Sequence, residues 1–215
     1  MQKLIDGHRM FRSLVYPQKE AFYRELAAGQ KPSALFITCS DSRVQPTEFI
    51  TAGPGDLFSD RSLGNIVPAP GGPETEATAV IEYAVVALGV EHIIVCGHSN
   101  CGAMKALLDP DSLKELPTVA AWLKNAGPTL ENVRRKHGRL KGDALLEAVT
   151  RENVMVQVEH VRRQPCVAPR LADGRLKVHG WVYEFETGQV VAHDPRSDQF
   201  LPLEEAYAAA EQATV

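Results

Sequence analysis

Short apolar runs alternate with longer amphipathic stretches through the first half of the chain. The runs at 33–38 and 92–97 have the length and the apolar character of buried strands, and Leu57 and Phe58 predict another strand at 56–61, although Ser59-Asp60 is unusually polar for a buried one. Between them, residues 74–88 carry apolar side chains at helical spacing, and Gly89 ends that helix. Strands that alternate with helices predict an α/β fold with a mainly parallel central β-sheet flanked by helices.

Helical periodicity dominates the start of the chain and its third quarter. Residues 1–15 and 18–28 predict two helices, which together form an N-terminal helical arm over residues 1–30. After a helix-like region at 112–165, alternation returns at 176–186 and predicts a C-terminal strand or hairpin. The other predicted helices are 46–51, 101–108, 118–124, 144–163 and 203–210. We therefore expect a single domain over residues 1–215.

Composition narrows the class of protein. With 215 residues, 44% of them hydrophobic, and a net charge of −4, the chain is typical of a soluble globular domain, and a nucleic-acid-binding role is not expected. No apolar run reaches the ~18 residues that a membrane-spanning helix needs, and the N-terminus lacks a signal-peptide pattern. These features predict a cytoplasmic protein. Its four cysteines are then expected to be metal ligands, catalytic groups or core residues.

Thiols and an imidazole follow two of the predicted strands. Cys39 comes directly after the first strand, and His98 and Cys101 come directly after the strand at 92–97. Sites in open α/β sheets are built at the carboxyl ends of the strands, so these three side chains are expected to meet. Two cysteines and one histidine suit Zn²⁺, and three protein ligands leave one coordination position open for catalysis.

An acidic residue, Asp41, and a basic residue, Arg43, lie close to Cys39 in the sequence. Two thiolates cancel the charge of Zn²⁺, so a water bound there needs help to become hydroxide. Asp41 can accept a hydrogen bond from a zinc-bound hydroxide, and Arg43 can hold Asp41 through both carboxylate oxygens. If that pair opened, Asp41 would itself occupy the fourth position and produce a closed form of the site.

Each of these residues also has a structural interpretation. Cys39 could be a buried strand cysteine, His98 a core histidine, and Asp41 with Arg43 a surface ion pair of under ~1 kcal/mol. Their joint arrangement favours the metal site. Cys96 lies inside a strand and is interpreted as a core residue, and Cys166 is interpreted as a helix-end or loop residue. Surface or packing positions are assigned to His8, His92, His137, His160, His179 and His193.

The two motifs, Cys39-Ser40-Asp41-Ser42-Arg43 and His98-Ser99-Asn100-Cys101-Gly102, resemble those of the β-class carbonic anhydrases. Further landmarks resemble the family in the same order, at 29–32, 54–58, 64–68, 81–85 and 179–183. The resemblance covers about residues 28 to 195. It implies one Zn²⁺ per chain on Cys39, His98 and Cys101. It also implies reversible hydration of CO₂ to bicarbonate and a proton.

Within the family the chain resembles the plant-type branch, which implies roles for further residues. Gln30 matches a glutamine that donates a hydrogen bond to substrate. Phe58 and Tyr83 match aromatic residues that line the CO₂ pocket, partly from a neighbouring chain, and Gly102 matches a glycine whose N–H lies near the substrate. Phe36 stands where the branch with a regulatory bicarbonate site has tryptophan, so bicarbonate-driven closure is not expected. The family also implies a homo-oligomer, with a dimer as the minimal unit and tetramers or larger assemblies.

The chain departs from the family pattern beside the expected CO₂ pocket. Ser62 replaces a common asparagine, Ser59-Asp60 replaces a pair that is usually apolar, and Leu63 is larger than the usual residue. These changes leave open the shape of the pocket. One alternative function is hydrolysis of carbon disulfide or carbonyl sulfide at the same site. Another is a catalytically silent zinc-binding scaffold subunit.

Overall fold

Six strands form one central sheet in the computed structural model, which describes residues 1–72 and 74–212. Pro73, in the loop before the predicted helix 74–88, and residues 213–215 of the predicted domain lie outside this part of the chain. In chain order the strands are β1 (Ala34–Thr38), β2 (Leu57–Asp60), β3 (His92–His98), β4 (Lys177–Tyr183), β5 (Val190–Asp194) and β6 (Gln199–Pro202).

The strand order is β2-β1-β3-β4-β5-β6, and its first four strands run parallel to one another. Strand β5 is antiparallel to β4, and β6 is antiparallel to β5. Ile37 of β1 pairs with Asp60 on one side and with Val95 on the other, so β1, β2 and β3 end at one edge. The mainly parallel sheet was predicted correctly, and β6 was missed.

The described residues form ten α-helices. They are α1 (Gln2–Met10), α2 (Glu20–Ala27), α3 (Pro46–Phe49), α4 (Glu76–Glu82), α5 (Gly102–Leu108), α6 (Pro117–Leu123), α7 (Gly127–His137), α8 (Gly142–Arg162), α9 (Ala168–Ala172) and α10 (Leu203–Gln212). The predicted helix at 1–15 is regular only to Met10, and a wider π turn completes it. The predicted helix at 74–88 begins two residues late because Thr75 and Thr78 form a capping box at its start.

Both faces of the sheet are buried. On one face, Leu35 and Ile37 of β1 pack with Ile81 of α4 and with Val154 and Val158 of α8. The opposite face carries a smaller cluster, to which Phe36, Ile94, Cys96, Phe49 and Trp181 belong. Each fully buried aliphatic side chain contributes roughly 1.5–3 kcal/mol, so these layers supply much of the stability. The burial of Cys96 confirms its interpretation as a core residue.

Helix α8 lies unusually close to β3 and β4. A Cβ atom on Gly97 would stand 2.8 Å from a methyl group of Val154, and one on Gly180 would stand 3.0 Å from the other. Because both positions are glycine, the helix backbone can approach the sheet directly behind His98. This approach brings the inner side of α8 to the loops at the carboxyl edge of the sheet.

The N-terminal arm makes few contacts with the rest of its own chain. No residue of α1 or α2 is buried, and large apolar side chains remain open: Leu4 is 70%, Met10 61% and Leu14 57% exposed. Packing of the Tyr23 ring against Phe11 (5.8 Å between centroids) and Tyr16 (5.6 Å) joins the two helices. Among the described helices, none combines the length and the hydrophobicity that crossing a bilayer would require.

Candidate metal centre

Three buried side chains meet at the carboxyl edge of the sheet. Cys39 follows β1 directly, His98 is the last residue of β3, and Cys101 is the N-cap of α5. Each offers one donor atom, and the three atoms lie within 4.8 Å of one another. The residues are 3%, 0% and 1% exposed. The convergence expected from the strand ends is therefore present.

The imidazole of His98 has one nitrogen paired and one open. Its Nδ1 lies 2.9 Å from the Ser99 carbonyl oxygen, and only an N–H can bond to that acceptor. In the neutral imidazole Nε2 then carries a lone pair, and this atom is buried and has no hydrogen-bond partner among the described residues. A buried polar atom without a partner costs about 1–3 kcal/mol, which a metal ion at this position would remove.

The two thiols stand in unlike environments. Cys39 Sγ accepts a hydrogen bond from the Gly64 amide at 3.3 Å. The Cys101 thiol first, and the backbone amides near Asp41 and Gly64 after it, lower the pKa of Cys39 against the effect of burial. The same contact with Cys39, together with burial, raises the pKa of Cys101. The pair therefore favours a thiolate at Cys39. Two sulfurs and one imidazole are a donor set that suits zinc.

Asp41 is fixed beside these donors by Arg43. The guanidinium donates from Nε to Oδ1 at 3.0 Å and from Nη2 to Oδ2 at 2.8 Å. These bonds hold the pKa of Asp41 well below its usual range, so the group is a carboxylate. Arg43 also donates to the Asn100 carbonyl and stacks over the Phe185 ring, 4.6 Å from its centroid. Oδ2 of Asp41 lies 3.9 Å from His98 Nε2.

A second arginine holds the loop that carries Cys39 and Asp41. Arg61, just after β2, donates through Nη2 to the carbonyl oxygens of Cys39 (3.2 Å), Asp41 (2.7 Å) and Val44 (2.8 Å). Ser40 returns a hydrogen bond to the Arg61 carbonyl at 2.6 Å. Sequence reasoning gave Arg61 no role. Its position directly after a strand that ends at the same sheet edge was the available signal.

The turn between His98 and Cys101 is held from the far end of the chain. Glu186 accepts hydrogen bonds from Ser99 Oγ at 2.7 Å and from Asn100 Nδ2 at 2.6 Å. Asn100 adopts φ of +55°, a strained conformation that asparagine tolerates better than most residues. Glu186 was also missed, because no local pattern links it to residues 86 and 87 positions earlier in the sequence.

Comparison with known proteins decides the family. A family model described as carbonic anhydrase matches residues 34–190. A carbonic anhydrase of Pseudomonas aeruginosa is 44% identical over 205 residues, which cover 95% of this chain and 93% of the relative. The solved β-carbonic anhydrase CcaA superposes with a TM-score of 0.92 at 41% identity, covering 94% of this chain and 91% of that one. The chain belongs to the β-class carbonic anhydrases.

A more distant solved relative shows the same fold. Tetrameric β-carbonic anhydrases from the filamentous ascomycete Sordaria macrospora match with a TM-score of 0.81 and 28% identity, covering 89% of this chain and 95% of theirs. The predicted family, fold class and enzyme class are thus confirmed for this carbonic anhydrase.

Of the residues expected around the substrate in this carbonic anhydrase, Gln30, Tyr83 and Gly102 are exposed and Phe58 is half-buried. Phe58 and Tyr83 pack together with ring centroids 5.7 Å apart, and Tyr83 is 51% exposed. Gln30 is exposed in the segment before β1, and Gly102 is the exposed first residue of α5. In the described residues, no hydrogen bond or ring contact joins Gln30, Phe58 or Tyr83 to the three donors. Phe36 is a fully buried core residue.

Two of the departures from the family pattern form one unit. Asp60 is buried, and Ser62 Oγ lies 3.0 and 2.9 Å from its two carboxylate oxygens. Burial raises the pKa of Asp60, and the Ser62 hydroxyl opposes that shift. The Ser62 hydroxyl thus stabilises the charged form of the buried Asp60 carboxylate. Leu63 contributes its carbonyl oxygen, which accepts from Trp122 Nε1 at 2.9 Å.

Proposed function

We propose that this enzyme reversibly hydrates CO₂ to bicarbonate and a proton with one zinc ion on Cys39, His98 and Cys101. The observation that carries the proposal is the buried, unpartnered Nε2 of His98, within 4.8 Å of two thiol sulfurs. Two sulfurs and one nitrogen complete three of the four positions of tetrahedral zinc, and the fourth stays available for chemistry. When bound, zinc supplies the positive charge that makes water acidic enough to react near neutral pH.

Asp41 and Arg43 determine what can happen at the open coordination position. Asp41, a carboxylate close to His98, can accept a hydrogen bond from the attacking oxygen and so orient its lone pair towards CO₂. Arg43 holds the Asp41 carboxylate in this orientation, because both carboxylate oxygens are bonded to the guanidinium. If the Arg43–Asp41 hydrogen bonds broke, Asp41 would be free to take the fourth coordination position, which would give the closed form of the site.

We further assign the substrate pocket to Gln30, Phe58, Tyr83 and Gly102. Gln30 would donate to an oxygen of the product, and the backbone N–H of Gly102 would lie nearby. Phe58 and Tyr83 would supply an apolar wall for CO₂. The exposure of Gln30 and Tyr83 in one chain supports a pocket that is finished by a second copy.

The proposed assembly is a homo-oligomer of single-domain chains, residues 1–215, built from dimers and extended to tetramers or larger. Support comes from the open apolar side chains of the N-terminal arm, which a second copy would cover. The Sordaria macrospora relatives are tetrameric, which supports an oligomeric state for this chain. Thiol ligands persist in a reducing compartment, which supports a cytoplasmic location.

The deciding experiment measures zinc content and CO₂ hydration on the same preparation. We expect one zinc per chain and a stopped-flow hydration rate well above buffer at mildly alkaline pH. Sulfide release from carbon disulfide or carbonyl sulfide without CO₂ hydration would assign the alternative hydrolase. Stoichiometric zinc with neither activity would indicate a silent scaffold, and a protein without metal would refute the whole proposal.

A further inference from the structure

Helix α8 carries a stripe of buried polar side chains towards the segment 64–68. Asn153, Gln157 and His160 follow one another at helical spacing, and Gln164 continues the stripe just past the helix end. Buried amides and imidazoles are costly unless each finds a hydrogen-bond partner. Their position therefore calls for a specific set of partners.

Those partners are backbone groups of one irregular segment. Asn153 Nδ2 donates to the Gly64 carbonyl at 3.0 Å, and the Val67 amide donates to Gln157 Oε1 at 2.9 Å. Beyond them, His160 lies 2.7 Å from the Val67 carbonyl, and Gln164 donates to the Pro68 carbonyl at 3.1 Å. The helix thus supplies these backbone groups of a buried loop with the partners that a strand would otherwise find in the sheet.

The two amides are also joined to each other. Gln157 Nε2 donates to Asn153 Oδ1 at 3.0 Å, and Thr129 Oγ1 lies 3.4 Å from the same oxygen. Asn153 therefore has its acceptor oxygen occupied, and its amide nitrogen is directed to Gly64. Gln157 fixes the orientation of Asn153 rather than touching Gly64 itself.

Gly64 connects this loop to the proposed ligand Cys39. Its carbonyl is held by Asn153, and its own amide donates to Cys39 Sγ at 3.3 Å. The residue has φ of +70°, and a Cβ atom there would lie 2.9 Å from the Cβ of Ala103. Glycine is required both for the left-handed conformation and for the close approach.

We propose that Asn153, oriented by Gln157, is a positioning residue for Cys39. By holding the Gly64 peptide it keeps an N–H directed at the sulfur, which withdraws electron density from the thiolate and fixes its place. The residue touches neither substrate nor metal. This inference rests on the proposed zinc function, since it concerns the strength and placement of one zinc ligand.

The test compares two near-isosteric substitutions in the full-length protein. Asn153→Leu removes the bond to Gly64, whereas Gln164→Met removes an equally buried bond from the same stripe to Pro68, four residues further along. Chelator competition should show zinc bound about tenfold more weakly by N153L, the size expected for loss of such a supporting contact. Q164M should stay within about twofold of the wild type.

A spectroscopic measurement separates positioning from general destabilisation. In the cobalt-substituted protein, the sulfur-to-metal charge-transfer band of N153L should move to lower energy, because the sulfur loses its hydrogen bond. The band of Q164M should not move. If N153L fails to fold, Gln157→Met should give a smaller shift and a smaller loss of affinity in the same directions.

Equal zinc affinity and an unmoved band in both N153L and Q157M would overturn the positioning role. That result in a wild-type protein that binds zinc and hydrates CO₂ would leave the proposed function intact. A wild-type protein that takes up no zinc would overturn both proposals, so the two failures are distinguishable.

Discussion

Arg43 grips both carboxylate oxygens of Asp41, with Nε 3.0 Å from Oδ1 and Nη2 2.8 Å from Oδ2. The backbone amide of Arg43 adds a third bond to Oδ1 at 3.0 Å. The plane of the carboxylate is fixed as a result, and Oδ2 is directed to within 3.9 Å of His98 Nε2. A flexible surface ion pair would not give this orientation.

Arg43→Lys should therefore lower CO₂ hydration while leaving zinc in place. Lysine keeps the charge but cannot donate through a planar fork, so Asp41 is free to rotate. We expect a loss of about 10- to 100-fold in kcat/KM, the range typical of such supporting contacts. Stopped-flow assays with metal analysis on the same samples measure both quantities.

The chain contains its own control for this substitution. Arg175 is bonded to Asp173, also two residues before it, in a solvent-exposed turn. Arg175→Lys should change activity by less than about twofold, as expected for an exposed pair. Equal losses in both variants, or loss of zinc from R43K, would contradict the role given to Arg43.

Cys39→Ser should abolish stoichiometric zinc binding and activity together. A serine hydroxyl stays protonated near neutral pH and is a poor ligand for zinc compared with a thiolate. Half-buried Cys166 offers the matched control, and Cys166→Ser should retain zinc. Metal content after dialysis against a weak chelator provides the measurement, and a zinc-loaded C39S protein would remove Cys39 from the ligand set.

The free energy of unfolding should fall as the pH drops through the titration range of the half-buried His179. Burial first, then His92 and Lys177, lower the pKa of His179 to about 4 from its ordinary 6.5. Between those values the unfolded chain binds more protons than the folded chain, so the free energy of unfolding decreases as pH falls. The His179 contribution lost on going from about pH 7.5 to about pH 5 is about 1–2 kcal/mol.

His179→Gln should remove that part of the pH dependence. Urea denaturation of the wild type and H179Q, each at about pH 7.5 and about pH 5, measures how much the free energy of unfolding of each protein changes between the two pH values. The variant should lose less stability than the wild type on acidification, whatever its absolute stability. Parallel losses in the two proteins would show that His179 does not titrate on unfolding.

Charges on the N-terminal arm should break the proposed assembly. Leu4→Glu with Leu14→Glu places two carboxylates on apolar surface that is largely open in one chain. Burial of an unpaired charge in an interface is costly, so the mass in solution should fall to that of a smaller species. Leu116→Glu, at an apolar residue 49% exposed outside the arm, should leave the mass unchanged. Light scattering after size exclusion measures this mass, and an unchanged oligomer in the double variant would exclude the arm from the contact.

The sheet edge and its donors were predictable because their signals are local. Cys39 and His98 each stand at the end of a short apolar run, and the sequence alone shows that both strands end in polar residues. Strand β6 gave no such signal, since Gln199 and Pro202 make it polar and proline-containing. It is recognised only by its pairing with β5 at the sheet edge.

The supports of the site were not predictable because they join distant parts of the chain. His160 was interpreted as a surface or packing residue; it is buried, and the partner that the sequence did not predict is the Val67 carbonyl, 93 residues away. His92 and His179 likewise gave no pattern, yet their rings are joined by a hydrogen bond of 3.0 Å across neighbouring strands. Such contacts depend on strand register, which short-range periodicity does not determine.

Glu186 and Asn153 have a consequence for how the enzyme matures on the ribosome. All three proposed donors are synthesised by residue 101, whereas the groups that lock their loops emerge only with residues 153 and 186. A nascent polypeptide that has been translated as far as α5 carries the donors but cannot yet hold them in place. We therefore expect the proposed zinc ion to be retained only late in synthesis and not to guide the early collapse of the chain.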